Sequence, residues 1–429
     1  MKNWISNWAG NVTFQPQQVN SPSSAADIAS LIVTAREQKR QVRVIGSGHS
    51  FTRLIETEDV LISLDDLQGV IFQEGSRAVV RAGTKLKRLG VELYELGLGQ
   101  PNLGDIDVQS LAGAVSTGTH GTGTDLGVIS TQVRSLTLIN GKGERIRCSA
   151  SENPELFSAA RVSLGALGVM VDIEIEVQAA YRLAMTQKKS TLQDSLDHFE
   201  AYNRDYRHFE FFWFPHSKTV LQKFTTETKE ESRAVTLSQH FSEVVLENTL
   251  FELISRLSRL FPSLAPAISR ICGQFASGNQ RLDWSHKVFA SLRWVKFVEM
   301  EYGVPLKSFK NVIEEIEAEI ADANHLVHFP IECRFVKGDD IWLSPAHGED
   351  RAFISVHMYR GMPHEKYFAA MEKIFLKYGG RPHWGKMHSL KAAQLKPLYP
   401  NWDDFQKQRS IMDPDGLFET DYMRGLWRL

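Results

Sequence analysis

Apolar and polar positions alternate along the chain in two recognisable rhythms. Ile28, Leu31, Ile32 and Ala35 recur at helical spacing and predict a helix over residues 21–39. Ser21 can cap it with Pro22 in the first turn, or Ser24 can cap a slightly later start. Short β runs follow at 42–45, 60–64, 69–72 and 78–82, then a helix over 86–96 ended by Gly97. Strands are expected at 133–139 and 145–148 across a turn at 140–143, with a short helix at 156–161 and an alternating strand at 171–177. Residues 7–14 read as an edge strand. Beyond 178 the composition shifts. An aromatic strand is predicted at 209–214, helices at 246–260 and 308–322, and strands at 330–335 and 353–359. Apolar residues 246, 250, 253, 257 and 260 mark one face of the first of these helices, which is expected to pack on a sheet.

Period-two alternation places Glu332 and Arg334 on one face of their strand, and His357 and Tyr359 on one face of theirs. Such a face can floor a polar site. Three glycine-containing stretches interrupt the strands. Val42 to Ile45 runs into Gly46-Ser47-Gly48-His49-Ser50; a second stretch spans 100–123 and a third 163–169. Glycines past a strand let main-chain N–H groups approach an anion, so three such loops in one β-rich region point to a long, phosphate-containing ligand. His49 adds a nucleophilic imidazole at its rim. A nicotinamide fingerprint fits poorly, because Phe51 stands where the third glycine belongs. The tail stretch 378–388 gathers aromatic and basic residues around glycines and suggests a further part of a site.

With 429 residues, two domains are expected. The balance of 49 basic and 51 acidic side chains gives no field for nucleic acid. Cys148, Cys272 and Cys333 are dispersed, which argues against a disulfide framework or zinc site and suits a reducing, cytoplasmic setting. Neither a secretory h-region nor a membrane-spanning apolar run is visible.

Taken together, several stretches resemble the flavin-dependent vanillyl-alcohol oxidase superfamily, and within it the sugar-1,4-lactone oxidases acting on L-gulono- or D-arabinono-1,4-lactone. They are Gly46 to Ser50, Ser116-Thr117-Gly118-Thr119-His120-Gly121-Thr122-Gly123, Ala159 to Gly165, Phe212 to His216, Glu332 to Phe335 and Gly380 to Lys386. The resemblance implies a two-domain α+β fold: an FAD-binding domain over 1–178, a substrate domain with an antiparallel sheet over 179–380, and a segment 381–429 returning to the first. It implies FAD, joined covalently to His49. The implied FAD contacts are Gly46, Ser47, Gly48, His49 and Ser50; Gly104, Asp105, Ser110, Gly113, Thr117, Gly118 and His120; and Gly168 and Val169. Glycine at 104, near the oxygen-reactive edge, favours an oxidase.

The reaction implied is hydride transfer from the C2 alcohol of an aldono-1,4-lactone to the flavin, with oxygen reduced to hydrogen peroxide. Arg334 or Lys386 would offset the developing negative charge, Glu332 would hold the guanidinium or a substrate hydroxyl, and His383, His357 and His388 are the available bases. Asp105 departs from the small hydroxyl residue of the alditol oxidases, and Met358-Tyr359-Arg360 looks like the lactone oxidases. A polyol substrate, or a lactone dehydrogenase using another acceptor, are the alternatives. A flavin carrier without turnover and a nicotinamide dehydrogenase stand further off. The arginines near 246–275 argue against membrane association.

Overall fold

Helix Ala25–Glu37 connects strand Gln18–Asn20 to strand Val42–Ile45, and both pair in parallel with Val60–Ser63. These coordinates form a computed structural model describing residues 4–232, 247–290 and 294–428. Ser24, the later of the two candidate caps, starts the helix by accepting the Asp27 N–H, and Ile28, Ile32 and Ala35 face the core. Behind this unit lies a five-stranded antiparallel sheet, in the order Arg145–Ser149, Val133–Ile139, Val169–Glu176, Arg77–Arg81, Val70–Glu74. Residues 7–14 are not one edge strand. Ile5–Ser6 and Thr13–Phe14 form a small hairpin, because the Asn7 carboxamide accepts the Gly10 and Val12 N–H groups and bends the chain.

An eight-stranded sheet occupies the second half. Its central strands are Thr219–Thr228, His208–Trp213, Ile331–Val336, Arg351–Tyr359 and Phe297–Pro305, all antiparallel. One face carries Phe209, Phe211, Trp213, Phe335 and Tyr302 beneath helices Leu192–Asp205, Phe309–Asp322 and Glu365–Lys377, where rings such as Phe199, Phe309 and Phe375 meet them. That face is a hydrophobic core, so the opposite face is left for polar residues. The tail closes back on the first half: the Val42 N–H donates to the Leu417 carbonyl, and Arg43 donates to the Phe418 carbonyl.

The predicted helix near 246–260 is present as Glu247–Leu260, but its leucine stripe does not pack on a sheet. Leu250, Leu253, Leu257 and Leu260 are exposed, while Phe251 and Ser255 turn inward to Phe329 and His328. Ser255 and Ser258 sit on the inward side, so hydrophobicity alone assigned the wrong face. Leu246 lies outside the described residues. Among those residues no helix is long and apolar enough to cross a membrane.

Candidate functional site

The three glycine-containing loops converge on one groove of about 770 Å³. Gly46, Ser47, Gly48, His49 and Ser50 line it from the first loop, Gln109, Ser110, Gly113 and Thr117 from the second, and Leu164, Gly165 and Gly168 from the third. Gly46 is required by closeness: a β-carbon there would lie 1.9 Å from the Ser110 hydroxyl. The second loop contains an element the sequence reading passed over, helix Leu111–Thr117, capped by Ser110 through the Gly113 N–H and ended by Gly118 at φ +70°. Gly118 therefore serves the helix end, against Pro345, rather than lining the groove. Val169 likewise turns into the core, and Met170 lines the groove instead. Beneath the loops, buried Arg43 donates to the carbonyls of Leu54, Leu164 and Phe418, tying the first loop's strand to the third loop and the tail.

A second cavity of about 460 Å³ adjoins the first, and Gln109 lines both. Gly104, Asp105, Ile106, Thr119, His120, Glu299, Glu301, Glu332, Arg334, His383 and Lys386 complete its wall. Gly104, Asp105 and His120, expected in the flavin groove, thus belong to this cavity. Strand register builds its floor, since residues directly opposite in an antiparallel pair share a face. One row reads Lys223, Glu210, Arg334 across three strands; the next reads Glu332, Ser355, Glu301; His357 lies opposite Glu299. The loop after strand Arg381–Pro382 runs beside Phe297–Pro305, with the His383 and Met387 N–H groups donating to the Glu301 and Glu299 carbonyls. That pairing delivers His383 and Lys386 to the same cavity.

Charge is dense here. Arg334 pairs with Glu332 at 2.5 Å, Glu210 at 2.8 Å and Asp105 at 2.9 Å. Lys223 reaches Glu210 at 2.6 Å and Asp105 at 3.6 Å, and Lys386 reaches Glu299 at 2.5 Å. Burial presses Arg334 toward neutrality, but Glu332, Asp105 and Glu210 hold it well above the usual guanidinium range. Lys223 is raised in the same way: burial opposes its charge, and Asp105 and Glu210 outweigh burial. Burial would raise Glu299 and Glu301, yet Lys386 and His357 hold the first low, and His120 and Lys386 the second.

The histidines divide by geometry. His383 is pushed down to about 3, chiefly by burial, and its Nδ1 accepts the Gly385 N–H, so the ring hydrogen sits on Nε2 and faces outward as a donor. His120 donates Nδ1–H to the Gly121 carbonyl and turns Nε2 to Glu301 at 3.3 Å. His357 donates Nδ1–H to the Pro330 carbonyl and sets Nε2 3.5 Å from Glu299, just behind the cavity wall. His388 does not line the cavity; it packs edge-on against Trp384. Tyr359, placed on the floor with His357 by alternation, lies under helix Glu247–Leu260 and donates to Glu252. Sequence reasoning missed Glu299, Glu301, Glu210 and Lys223. The alternation Phe297-Val298-Glu299-Met300-Glu301 carried a usable signal for the first two. Glu210 sits among aromatic residues and Lys223 between Gln222 and Phe224, and neither stretch was read as part of a site.

The groove and cavity match what FAD and a small polyhydroxylated substrate need: a main-chain cradle that a β-carbon would obstruct, next to paired cations and carboxylates. Comparison with known proteins agrees. An FAD-binding domain family matches residues 16–149, and the D-arabinono-1,4-lactone oxidase family matches residues 173–426. The L-gulono-1,4-lactone dehydrogenase of Mycobacterium tuberculosis is 37% identical over 98% of this chain and 98% of its own length. The L-gulonolactone oxidase of Mus musculus is 32% identical over 97% of this chain and 96% of its own. The crystal structure of cholesterol oxidase from B. sterolicum shares the fold, with a TM-score of 0.82 at 18% identity, over 100% of this chain and 97% of that one. The two-domain vanillyl-alcohol-oxidase-type architecture, the FAD-binding region and the match over the whole second half establish that this chain belongs to the D-arabinono-1,4-lactone oxidase family of FAD-dependent sugar-lactone oxidoreductases.

Proposed function

We propose that the chain oxidises an aldono-1,4-lactone (L-gulono-, L-galactono- or D-arabinono-) at its C2 alcohol, with oxygen as acceptor and hydrogen peroxide as product. Residues 1–178 and 381–429 hold FAD, joined covalently to His49, and residues 179–380 supply Glu299, Glu301, Glu332 and Arg334 to the substrate cavity. The observation that carries the reading is the abutment at Gln109 of a glycine-lined groove and a cavity walled by Glu332, Arg334 and Lys386.

Bound FAD supplies the hydride acceptor and the route for two electrons to oxygen. The protein's part is electrostatic. Lys386 and Arg334 would offset the negative charge that the flavin gains with the hydride, and Glu299, Glu332, Glu210 and Asp105 orient them. The Nε2–H of His383 donates to a substrate oxygen. His357, anchored at Nδ1 by Pro330, keeps an acceptor nitrogen toward Glu299 and takes the hydroxyl proton by way of that carboxylate. Support for oxygen as acceptor comes from Gly104, which lines the cavity without a side chain.

Anaerobic mixing with each lactone and with xylitol and sorbitol, followed by admission of oxygen, tests the reading. Fast flavin bleaching by a lactone, recolouring by oxygen and stoichiometric peroxide are expected. Faster bleaching by a polyol would overturn the substrate. Lactone bleaching without recolouring would make the chain a dehydrogenase, as the M. tuberculosis relative is named.

A further inference from the structure

We infer that Trp8 is a positioning residue for His49, holding its imidazole in the orientation from which the bond to flavin forms; the inference rests on the covalent attachment proposed above. His49 lines the groove, yet among the described residues no hydrogen bond to side chain or main chain holds its ring. The Trp8 indole stacks on it, at 5.6 Å between centroids and 21° between planes. Imidazole rotation about its terminal torsion is broad when nothing constrains it, and a flat aromatic neighbour narrows that freedom.

Trp8 is itself firmly placed. Its main-chain N–H donates to the Gly48 carbonyl at 2.7 Å, and its ring meets Phe297 edge-on at 5.2 Å and Phe51 at 6.3 Å. On either side, Asn7 donates to the Ser50 carbonyl and Asn11 to the Phe51 carbonyl. The N-terminal hairpin is therefore stitched to the chain both before and after His49. Burial, then the charges of Lys386 and Lys85, lower His49 to about 4, so at neutral pH the correctly turned ring also has its lone pair free. Orientation of a reacting pair is a large part of any rate, and a ring swung away from the reacting carbon forfeits it.

The imidazole nitrogen bonds to the flavin 8-methyl carbon; the imidazole hydrogen and one methyl hydrogen pass, with two electrons, to the ring system; dioxygen removes both hydrogens and both electrons as hydrogen peroxide.

The test compares the native chain with His49→Ala, Trp8→Phe, Trp8→Leu and Trp8→Ala, each produced with FAD. Flavin fluorescence that survives acid precipitation and denaturing electrophoresis is read against total bound FAD. The native chain should carry acid-stable flavin and His49→Ala none. Trp8→Leu and Trp8→Ala should bind FAD but lose acid-stable flavin about tenfold or more, with Trp8→Phe, which keeps a flat ring, close to native. Acid-stable flavin in Trp8→Leu within about twofold of native would overturn the inference alone. So would loss of all FAD binding in both Leu and Ala variants, since Trp8 would then serve the groove rather than the ring. A native chain without acid-stable flavin would overturn the attachment at His49 and this inference with it.

Discussion

Lys223 offers the sharpest test of the charge arrangement under the cavity. Its side chain is almost wholly enclosed, 2.6 Å from Glu210 and 3.6 Å from Asp105, and Arg334 joins both acids. Replacing Lys223 by Met keeps the volume and removes the charge, leaving Asp105, Glu210 and Glu332 to share Arg334. Uncompensated buried charge of this kind costs about 3–5 kcal/mol, a large share of a native stability of roughly 5–15 kcal/mol. Removing the opposing charge as well should recover most of it. Glu210→Gln retains an oxygen for the Arg334 Nε–H, so Lys223→Met with Glu210→Gln should lie within about 1–2 kcal/mol of native. Urea unfolding of the flavin-loaded native chain, both single variants and the double variant closes the cycle. The expected coupling is at least about 2 kcal/mol. The single variant's deficit should also grow with pH, because the acid left unpaired is most costly when ionised. Additive single effects, or a Lys223→Met loss under about 1 kcal/mol, would refute the reasoning.

The remaining predictions concern pH and turnover. His208 and His383 are lowered to about 3 and His328 and His388 to about 4, each chiefly by burial. Their folded values lie below the unfolded 6.5, so the stability they contribute is present above about 6.5 and lost as pH falls toward 4 and 3. Each should forfeit about 2 kcal/mol between pH 7 and 5, partly offset by Asp339. Burial raises that carboxyl to about 6, which favours the fold in acid. Urea melts at the two pH values measure the fall, and His328→Gln should shrink it by about 2 kcal/mol; equal stability at both pH values would refute it. Lys386→Met and Arg334→Met should each slow anaerobic flavin reduction by about 10²–10³-fold, followed by stopped-flow absorbance. Gly104→Val should leave reduction by lactone nearly intact and slow recolouring by oxygen about tenfold or more. A β-carbon at 104 meets the His120 carbonyl at 3.0 Å, a tight approach, so the loop must shift by a few tenths of an ångström to admit it, and the variant's FAD content and urea melt are read alongside.

Much of the molecule was legible in one dimension because local periodicity reports which way a side chain faces within its own element. The helix Ala25–Glu37, the strand Val42–Ile45 after it and the helix Phe309–Asp322 follow directly from apolar spacing, whereas the short strand Gln18–Asn20 before it gave no such signal. Period-two alternation placed Glu332 and Arg334 on one face, and three glycine clusters at strand ends announced a main-chain cradle. The resemblance of the ordered motifs then named the cofactor and chemistry. Where composition misled, the causes are physical. The leucines of Glu247–Leu260 mark a hydrophobic stripe, but packing chose the side bearing Phe251, Ser255 and Ser258. Gly118 and Val169 belong to the right loops yet serve a helix end and a core strand.

Within each element, then, the order of residues determined its type, its faces and the presence of the glycine cradle. Only the tertiary structure decided which faces met. Lys223, Glu210 and Arg334 come from three strands whose alignment depends on pairing register, and a slip of one residue would send every side chain to the opposite face. Trp8 over His49, and Gln109 at the junction of groove and cavity, are likewise contacts between segments far apart in sequence. No local pattern records them, because their energy arises only after the long loops between them have closed.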